Sequence, residues 1–392
     1  MPALDESTLA ATAIELLAKL VEFDTTSRHS NLKLIAFVET YLARLNVSSV
    51  RMISEDGRKA NLYATLGPLC GTGVILSGHT DVVPVDGQNW SSDPFRMVRR
   101  GDRLFGRGTC DMKGFIACAL AAAPLFASPE QLKRPIHLAL SYDEEVGCVG
   151  APAMIGRLSK LMPRPSVAII GEPTDMAVVG SHKGGVLYEV KVRGHAAHSS
   201  LPHLGLSANM MAVRLMRRLV EIAQHEEDAS DRNSAFEPPF STLSIGKIHG
   251  GTASNILAEE CVFSLDLRTI PGRDRNALLK PFFTEMAVVD AEARQRFPLA
   301  GVTCRQCALV PALSFEDGRP AEPLARMLTH DSGPRRAVAF GSEAGQFQEA
   351  GFSTVICGPG SINQAHQPDE FVTIDQLHRC AAFMLRLAES LG

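Results

Sequence analysis

Four apolar runs in the sequence are each followed by a residue type that can bind a metal ion or transfer a proton. Short apolar runs bounded by glycine or polar residues are typical of buried parallel strands. Open α/β sheets carry their chemistry just beyond the carboxyl ends of such strands. The residues that follow the runs are His79 with Asp81, Glu144 with Glu145, Glu172, and, after a glycine-rich loop, His366. We therefore expect these side chains to meet at one edge of a sheet.

Two imidazoles and several carboxylates suit a site for two zinc ions that keeps an open position for water. Asp111 adds a further carboxylate, from a glycine-dense turn that opens a predicted helix. Adjacent glutamates at a strand end point in different directions, so one of Glu144 and Glu145 can bind a metal while the other faces the water. Asp81 is placed to hold the His79 imidazole from behind, as carboxylates beside metal-binding histidines do.

Each of these residues, taken singly, also has an ordinary structural explanation. A histidine after a strand is most often a loop residue, the Glu144–Glu145 pair fits a solvated turn, and Asp111 fits a helix N-cap. The glycines before the helix lack the GxxxxGK[ST] spacing of a phosphate loop. Cys110 is interpreted as a packing residue, because no base lies near it in the sequence. The position that the candidates share, at strand ends, favours a metal site.

Length and composition exclude several classes of protein. A chain of 392 residues predicts two domains, and a net charge of −4 without a basic block argues against a nucleic-acid partner. The acidic N-terminus does not match a secretory signal, and the longest charge-free apolar stretch, 114–129, is too short to span a membrane. The nine cysteines predict free thiols in a reducing compartment. We therefore expect a cytoplasmic protein without a nucleic-acid or membrane partner.

The pattern of apolar residues predicts an α/β domain in two parts, 1–182 and 313–392, interrupted by an inserted domain, 183–312. Helical spacing is found at 8–22 and 31–45, and a final helix begins at a capping residue, Thr373.

The insert has a different sequence pattern, because its predicted strands alternate apolar and polar residues as half-exposed antiparallel strands do. The expected elements are a strand at 186–192, a helix at 206–224, strands near 241–248 and 260–268, a helix at 276–294 and a strand near 302–310. This order is the split βαβ pattern of a ferredoxin-like domain.

Six stretches of the sequence together resemble one group of enzymes, the aminoacylase/carboxypeptidase family of two-zinc metallohydrolases. The stretches are 77–83, 106–114, 143–147, 171–174, 194–202 and 365–370. The resemblance extends over nearly the whole chain. It implies a zinc-peptidase-like α/β fold, in which a three-layer α/β/α catalytic domain carries an inserted ferredoxin-like α+β lid that also serves as the dimerisation domain. It further implies a cis peptide bond between Asp111 and Met112.

The resemblance also implies a role for each candidate residue. The metal ligands would be His79, Asp111 as the bridge, Glu145, Glu172 and His366, for two Zn²⁺ per subunit that Co²⁺ can replace. The catalytic residues would be Glu144 as general base, Asp81 and His198, and the substrate-binding residues would be Arg268 and Asn255. His195 and His203 lie close to His198 in the sequence, so the choice among these histidines stays open.

The activity implied is hydrolysis of an N-acyl amino acid. The motifs imply N2-acetyl-L-ornithine as the substrate, giving L-ornithine and acetate in arginine biosynthesis. One alternative is a succinyl-diaminopimelate desuccinylase or a broad N-acyl-amino-acid deacylase, and Lys183 offers the extra cation that a succinyl group requires. A remote alternative is a non-catalytic binding protein on the same fold. We also expect a homodimer formed by the lids, in which His198 serves the site of the neighbouring subunit.

Overall fold

The computed structural model of the chain describes residues 5–69, 71–128, 132–161, 167–231 and 234–392. These residues form two compact units. The first unit lies within Met1–Ser181, Leu313–Arg336 and Ser342–Gly392, and the second within His182–Ala312 and Ala337–Gly341. The sequence had assigned the short segment 337–341 to the first unit.

In chain order, the helices are α1 (Glu6–Val21), α2 (Leu32–Ala43), α3 (Lys113–Phe126), α4 (Ala151–Leu161), α5 (Ala208–Asp228), α6 (Arg275–Arg296), α7 (Ala321–Thr329), α8 (Ala344–Glu349) and α9 (Ile374–Leu391), with a short 3-10 helix at Pro202–Leu204. The strands are β1 (Ser49–Ile53), β2 (Ala60–Leu66), β3 (Val74–His79), β4 (Val98–Arg100), β5 (Arg103–Phe105), β6 (Ile136–Ser141), β7 (Val167–Ile170), β8 (Ser181–His182), β9 (Gly184–Arg193), β10 (Thr242–Ser244), β11 (Ile248–Gly250), β12 (Glu260–Thr269), β13 (Gly301–Val310), β14 (Ala337–Val338), β15 (Ser353–Ile356) and β16 (Phe371–Thr373).

The first unit is organised around a mixed six-stranded sheet with the strand order β1-β2-β6-β3-β7-β15. The four strands β6, β3, β7 and β15 run parallel to one another and are buried along their whole length. His79 at the end of β3 pairs with Ser141 at the end of β6, and Ser77 pairs with Ile170 at the end of β7. The parallel strands therefore end within two residues of one level, and the loops that follow them leave from one edge.

Helix α3 is the central helix of this unit. It is apolar on every side, and nearly all of its residues are buried, as expected for a helix enclosed by other elements. It packs against α1, α9 and strand β3. This packing fixes the position of the turn before α3, which carries Asp111.

The second unit consists of an antiparallel sheet and two long helices. The strand order is β10-β12-β9-β13, with β11 also pairing to β12. In β9 the side chains of Val186, Tyr188, Val190 and Val192 are buried, and the residues between them are exposed or half-buried. Helices α5 and α6 pack against this sheet. The order of elements agrees with the predicted split βαβ pattern.

Two boundaries differ from the predicted ones. The strand expected near 241–248 is divided into β10 and β11, because its register against β12 shifts by one residue between Ser244 and Ile248. Between the two strands the Ser264 hydroxyl accepts the Lys247 N–H at 3.0 Å. Helix α5 continues past 224, where the carboxylate of Glu226 pairs with the guanidinium of Arg273. The predicted cap of the last helix is confirmed, since the Thr373 hydroxyl accepts the N–H of Gln376.

Among the described residues, no helix is long and apolar enough to cross a membrane. The eight cysteines in the described part of the chain are all free thiols. Several residues used in the sequence analysis lie outside the described residues, namely residues 1–4 of the acidic N-terminus, Cys70 among the cysteines and Pro129 at the end of the apolar stretch.

His137 in β6 is a buried histidine in the first unit, only 4% exposed. Its Nδ1 lies 3.0 Å from the Thr65 hydroxyl and 3.1 Å from the Tyr63 hydroxyl, and its Nε2 has no partner among the described residues. Burial lowers the pKa of His137 to about 4.

This pKa predicts a loss of stability in mild acid. The unfolded chain binds a proton at His137 near the ordinary pKa, whereas the folded chain does so only near pH 4, so His137 should lower the free energy of unfolding by up to about 2 kcal/mol between pH 7 and 5. Urea unfolding of chelated protein should show a shallower pH dependence for His137→Gln than for the wild type. Thr65→Val, which removes a partner but no titrating group, should keep the wild-type slope. Equal slopes for wild type and His137→Gln would contradict this account.

Candidate metal centre

His79 and Asp111 form the centre of the cluster at the edge of the first unit's sheet. The His79 Nε2 lies 2.9 Å from Asp111 Oδ1 and 3.9 Å from Glu172 Oε1. Its Nδ1 donates to the main-chain carbonyl of Asp81 at 2.9 Å. That hydrogen bond fixes the ring and directs Nε2 at the carboxylates, as in a histidine that binds a metal through Nε2.

His366 approaches the same carboxylate from the other side. Its Nε2 lies 3.3 Å from Asp111 Oδ2 and 3.0 Å from Glu145 Oε2. The backbone at His366 is in the left-handed region, with φ of 63°, and its side chain is half exposed. The two oxygens of Asp111 therefore face two different imidazoles, which is the arrangement that a bridging carboxylate requires.

The turn before α3 presents Asp111 through its backbone. The peptide bond between Asp111 and Met112 is cis, which confirms the expectation from the resemblance. Asp111 does not cap α3, because the N-cap residue is Met112 and no side chain bonds there. Instead, the N–H groups of Cys110 and Asp111 both donate to one oxygen of Glu370, at 2.9 and 3.0 Å.

Asp81 supports the cluster differently from the predicted way. Its carbonyl oxygen holds the His79 ring, while its carboxylate lies 3.7 Å from Nδ1 of that ring. The carboxylate accepts the Ser27 hydroxyl at 2.7 Å and the N–H groups of Glu144 and Glu145 at 3.1 and 3.2 Å. Asp81 therefore orients both the imidazole and the turn that carries the two glutamates.

The electrostatics of the cluster show an excess of negative charge. Burial raises the pKa of Glu144 to about 8 and that of Glu145 to about 7, and it raises the pKa of Glu172 well above its usual range. Hydrogen bonds to Asp111 and Glu145 raise the pKa of His366 to about 10. Burial by itself lowers the pKa of His79, but the hydrogen bond to Asp111 and the charges of the surrounding carboxylates together raise that pKa well above its usual range.

Buried carboxylate oxygens without a hydrogen-bond partner indicate which kind of ligand the cluster can bind. Oε1 of Glu145 and Oε1 of Glu172 are buried without a hydrogen-bond partner among the described residues. Two overlapping groups bring their ligand atoms within 4.8 Å of one another, His79 with Asp111 and Glu145, and His79 with Glu144 and Glu172. Imidazole and carboxylate are the donors that zinc prefers outside cysteine sites. The residues present therefore fit a metal centre.

Several residues of this centre were not identified from the sequence. Ser27 is 54 residues from Asp81 in the chain, and no spacing rule connects them. The Cys148 thiol donates to Glu144 Oε1 at 3.2 Å, and Glu343 is buried with one unpartnered oxygen among the described residues. Glu370 follows His366 in one of the motifs that carried the resemblance, which was the only signal for it.

The remaining predicted residues lie in the second unit. His198 is exposed, its Nδ1 is 2.7 Å from the Ser200 hydroxyl, and its segment pairs with the one that contains Asn255. Asn255 precedes the beginning of β12, whereas Arg268 lies near the end of that strand. Arg268 forms two bonds to Asp266, at 2.8 and 3.2 Å. The structure thus brings His198 and Asn255 together and separates Arg268 from them.

Comparison with known proteins assigns the class. Residues 75–390 match the Peptidase family M20/M25/M40, so the chain belongs to this family and is a metal-dependent hydrolase. Among curated relatives, a protein named acetylornithine deacetylase from Myxococcus xanthus is 37% identical over 379 residues, covering 94% of this chain and 95% of that protein. A protein of the same name from Salmonella arizonae is 34% identical, covering 88% of this chain and 86% of its own length.

Solved structures of the family share the fold. An M20 family metallo-carboxypeptidase from Sulfolobus solfataricus matches with a TM-score of 0.77 at 15% identity, covering 96% of this chain and 98% of that one. The YXEP protein of Bacillus subtilis, described as a dinuclear metal binding peptidase, matches with a TM-score of 0.67 at 14% identity, covering 98% of each chain. These likenesses confirm the predicted fold class.

Metal binding should stabilise the folded chain, because cations relieve the repulsion among its buried carboxylates and bind the unfolded chain less well. We expect the thermal midpoint to fall after prolonged chelation and to recover when zinc is added, with two zinc ions per chain by elemental analysis. Asp111→Ala should bind fewer ions and show a smaller shift. Identical midpoints for the chelated and the zinc-loaded wild type would contradict this prediction.

Proposed function

We propose that this chain removes the acetyl group of N2-acetyl-L-ornithine, giving L-ornithine and acetate in arginine biosynthesis. The observation that carries the proposal is the relative named acetylornithine deacetylase, 37% identical over 94% of this chain. The cluster of two imidazoles and several carboxylates supplies the chemistry that such a hydrolysis needs. The free thiols of the described cysteines are consistent with a cytoplasmic location, as this role implies.

Two metal ions would be held with Asp111 between them. His79 and Glu172 would bind one, and His366 and Glu145 the other, as the contacts of Asp111 Oδ1 and Oδ2 suggest. We propose zinc, with cobalt as a substitute, because the donors are imidazole and carboxylate. When bound, the two ions would polarise the acyl carbonyl and lower the pKa of a bound water to about 7.

Glu144 is the proposed general base. Its neighbour Glu145 faces His366, whereas the Glu144 carboxylate contacts the Cys148 thiol, so the two adjacent glutamates occupy different surroundings. Asp81 holds the N–H of Glu144 and thereby fixes the turn. Glu144 would accept a proton from the attacking water and return it to the departing amine nitrogen.

Arg268 is the proposed site for the substrate carboxylate. Its guanidinium lies over Gly185, the residue opposite it across the β9–β12 pair, where a Cβ would come within 3.2 Å of Nη1. It is held by Asp266 in a planar, two-bond contact that a substrate carboxylate can imitate. Binding would therefore exchange one carboxylate for another at the same guanidinium.

The desuccinylase alternative requires a second cation in the acyl pocket. The Lys183 ammonium, the candidate for this role, donates to the carbonyls of Pro238 and Phe240 at 2.9 and 2.6 Å. Lys183 is also almost fully buried. The Lys183 ammonium is therefore already bound to the segment that contains Pro238 and Phe240, which favours an acetyl over a succinyl substrate.

A substrate panel tests this function. Zinc-loaded protein should hydrolyse N2-acetyl-L-ornithine with a higher kcat/KM than N-succinyl-diaminopimelate or other N-acetyl amino acids. Glu144→Gln should retain zinc but lose about 10²–10⁴-fold in kcat, because the base is lost while the shape is kept. Glu349→Gln, which changes an exposed carboxylate of the same unit, should match the wild type.

Three results would contradict the proposal. Preference for the succinyl substrate would favour the desuccinylase. Zinc binding without any amidase activity would favour a binding protein on this fold. Near-normal turnover by Glu144→Gln would remove Glu144 as the base.

We further propose a homodimer formed by the second units, in which His198 completes the site of the neighbouring subunit. His198 and Asn255 lie before β12, whereas Arg268 lies near its end, and eight residues of strand span roughly 26 Å. One small substrate cannot touch both ends of that strand. The two groups therefore fit two different sites better than one. Exposed apolar residues of this unit that suit such an interface include Leu201, Leu204, Met210, Val213, Val220, Ile248 and Ile256.

A mixing experiment tests this arrangement. His198→Ala and Glu144→Ala, each nearly inactive, are refolded together in equal amounts. If His198 acts across the interface, about a quarter of all sites should be complete, since half of the dimers are mixed and one site in each is intact. Background activity with mixed dimers verified by mass would show that His198 serves its own subunit.

A further inference from the structure

A buried ion pair connects the two loops that carry Asp111 and His366. Arg107 and Glu370 meet at 2.7 Å, and each side chain is only 1% exposed. A buried pair of this kind requires hydrogen bonds to its remaining donors and acceptors, and most of them are made, whereas Nε of Arg107 has no partner among the described residues. Those bonds reach the backbone on either side of the proposed metal centre.

Glu370 holds the Asp111 side of the connection. Its Oε1 accepts the N–H groups of Cys110 and Asp111, while Oε2 faces Arg107. Its main-chain carbonyl accepts the N–H of Gly106 at 2.9 Å. The turn that presents Asp111 is therefore bound at two points, its beginning and its end, to one residue of the loop that carries His366.

Arg107 holds the His366 side through a relay. Its Nη1 donates to the carbonyl of Gln367 at 3.3 Å, and its Nη2 donates to Oε1 of Gln88 at 2.5 Å. The amide nitrogen of Gln88 then donates to the carbonyl of His366 at 2.9 Å. Two consecutive carbonyls of the loop are thus fixed from one guanidinium.

His366 is much less enclosed by packing than His79. Its side chain is half exposed and its backbone has a left-handed φ, whereas His79 is buried at the end of a central strand. A half-exposed loop histidine depends on its backbone bonds for a fixed distance to Asp111 Oδ2. His79 does not depend on such bonds, because its strand lies inside the sheet and fixes its position.

We propose that Arg107, Glu370 and Gln88 are positioning residues that set the separation between His366 and Asp111. They thereby control the affinity of the metal site formed by His366, Asp111 and Glu145. They have almost no effect on the affinity of the metal site that contains His79. The proposal rests on the proposed two-metal site. A merely structural role would instead weaken both positions together through loss of the fold.

The main test uses Gln88→Ala, which cuts the relay but leaves the buried ion pair. Zinc is titrated into chelated protein against a competing chelator, giving two stepwise dissociation constants. We expect one constant to rise about 10–100-fold, the range known for residues that orient metal ligands, and the other to change less than about twofold. Activity at saturating zinc should return close to the wild-type value.

Two further variants make the assignment specific. His366→Ala should abolish the same binding step that Gln88→Ala weakens, which identifies the position. Gln348→Ala removes another half-buried amide of this unit, one that bonds the backbone of Ser314, and should change neither constant. Thermal midpoints of the chelated variants test whether the fold is intact.

The outcomes separate this proposal from the two-metal site itself. Equal weakening of both steps by Gln88→Ala, or two unchanged constants in a folded variant, would overturn the positioning role while the wild type still binds two ions. A wild type that binds fewer than two zinc ions would overturn the two-metal site, and the positioning role with it.

Discussion

The structure depends on the crowding of carboxylates at one edge of a buried parallel sheet. Asp111, Glu144, Glu145 and Glu172 lie close together, and only two imidazoles from His79 and His366 face them among the described residues. Isolated charges are expensive to bury, so a carboxylate cluster of this kind requires a cation or a proton at each unpaired oxygen. A divalent metal ion meets this requirement for several oxygens at once, so few ions are needed. The residues that bind the ions then form the reactive centre.

The fold brings these residues together through backbone geometry more than through side-chain packing. Parallel strands that end at nearly one level deliver His79 and Glu172 directly. The other ligands come from loops with unusual backbones, a cis bond after Asp111 and a left-handed φ at Asp143 and His366. A left-handed φ at a residue other than glycine persists only where the surroundings determine it, and next to Asp143 the buried carboxylate of Asp81 accepts the N–H of Glu144.

The sequence predicted those elements that leave a pattern within a short stretch of neighbouring residues. Strand ends identified His79, Glu144 and Glu172, and alternation identified the antiparallel sheet of the second unit with nearly correct boundaries. The roles of Ser27 and Arg107 could not be predicted, because they act on backbone groups and side chains far away in the chain, 54 and 260 residues in the cited contacts. The pairing of Arg268 with Asp266 was also missed, since strand periodicity places both on one face without indicating a bond.

The most direct test of the central claim is anomalous diffraction from crystals of the zinc-loaded protein, measured on both sides of the zinc absorption edge. We predict two zinc peaks per chain, separated by about 3.5–4 Å, with one carboxylate oxygen of Asp111 beside each. One peak should lie next to His79 and the other next to His366. A single peak, or two peaks that do not share Asp111, would contradict it.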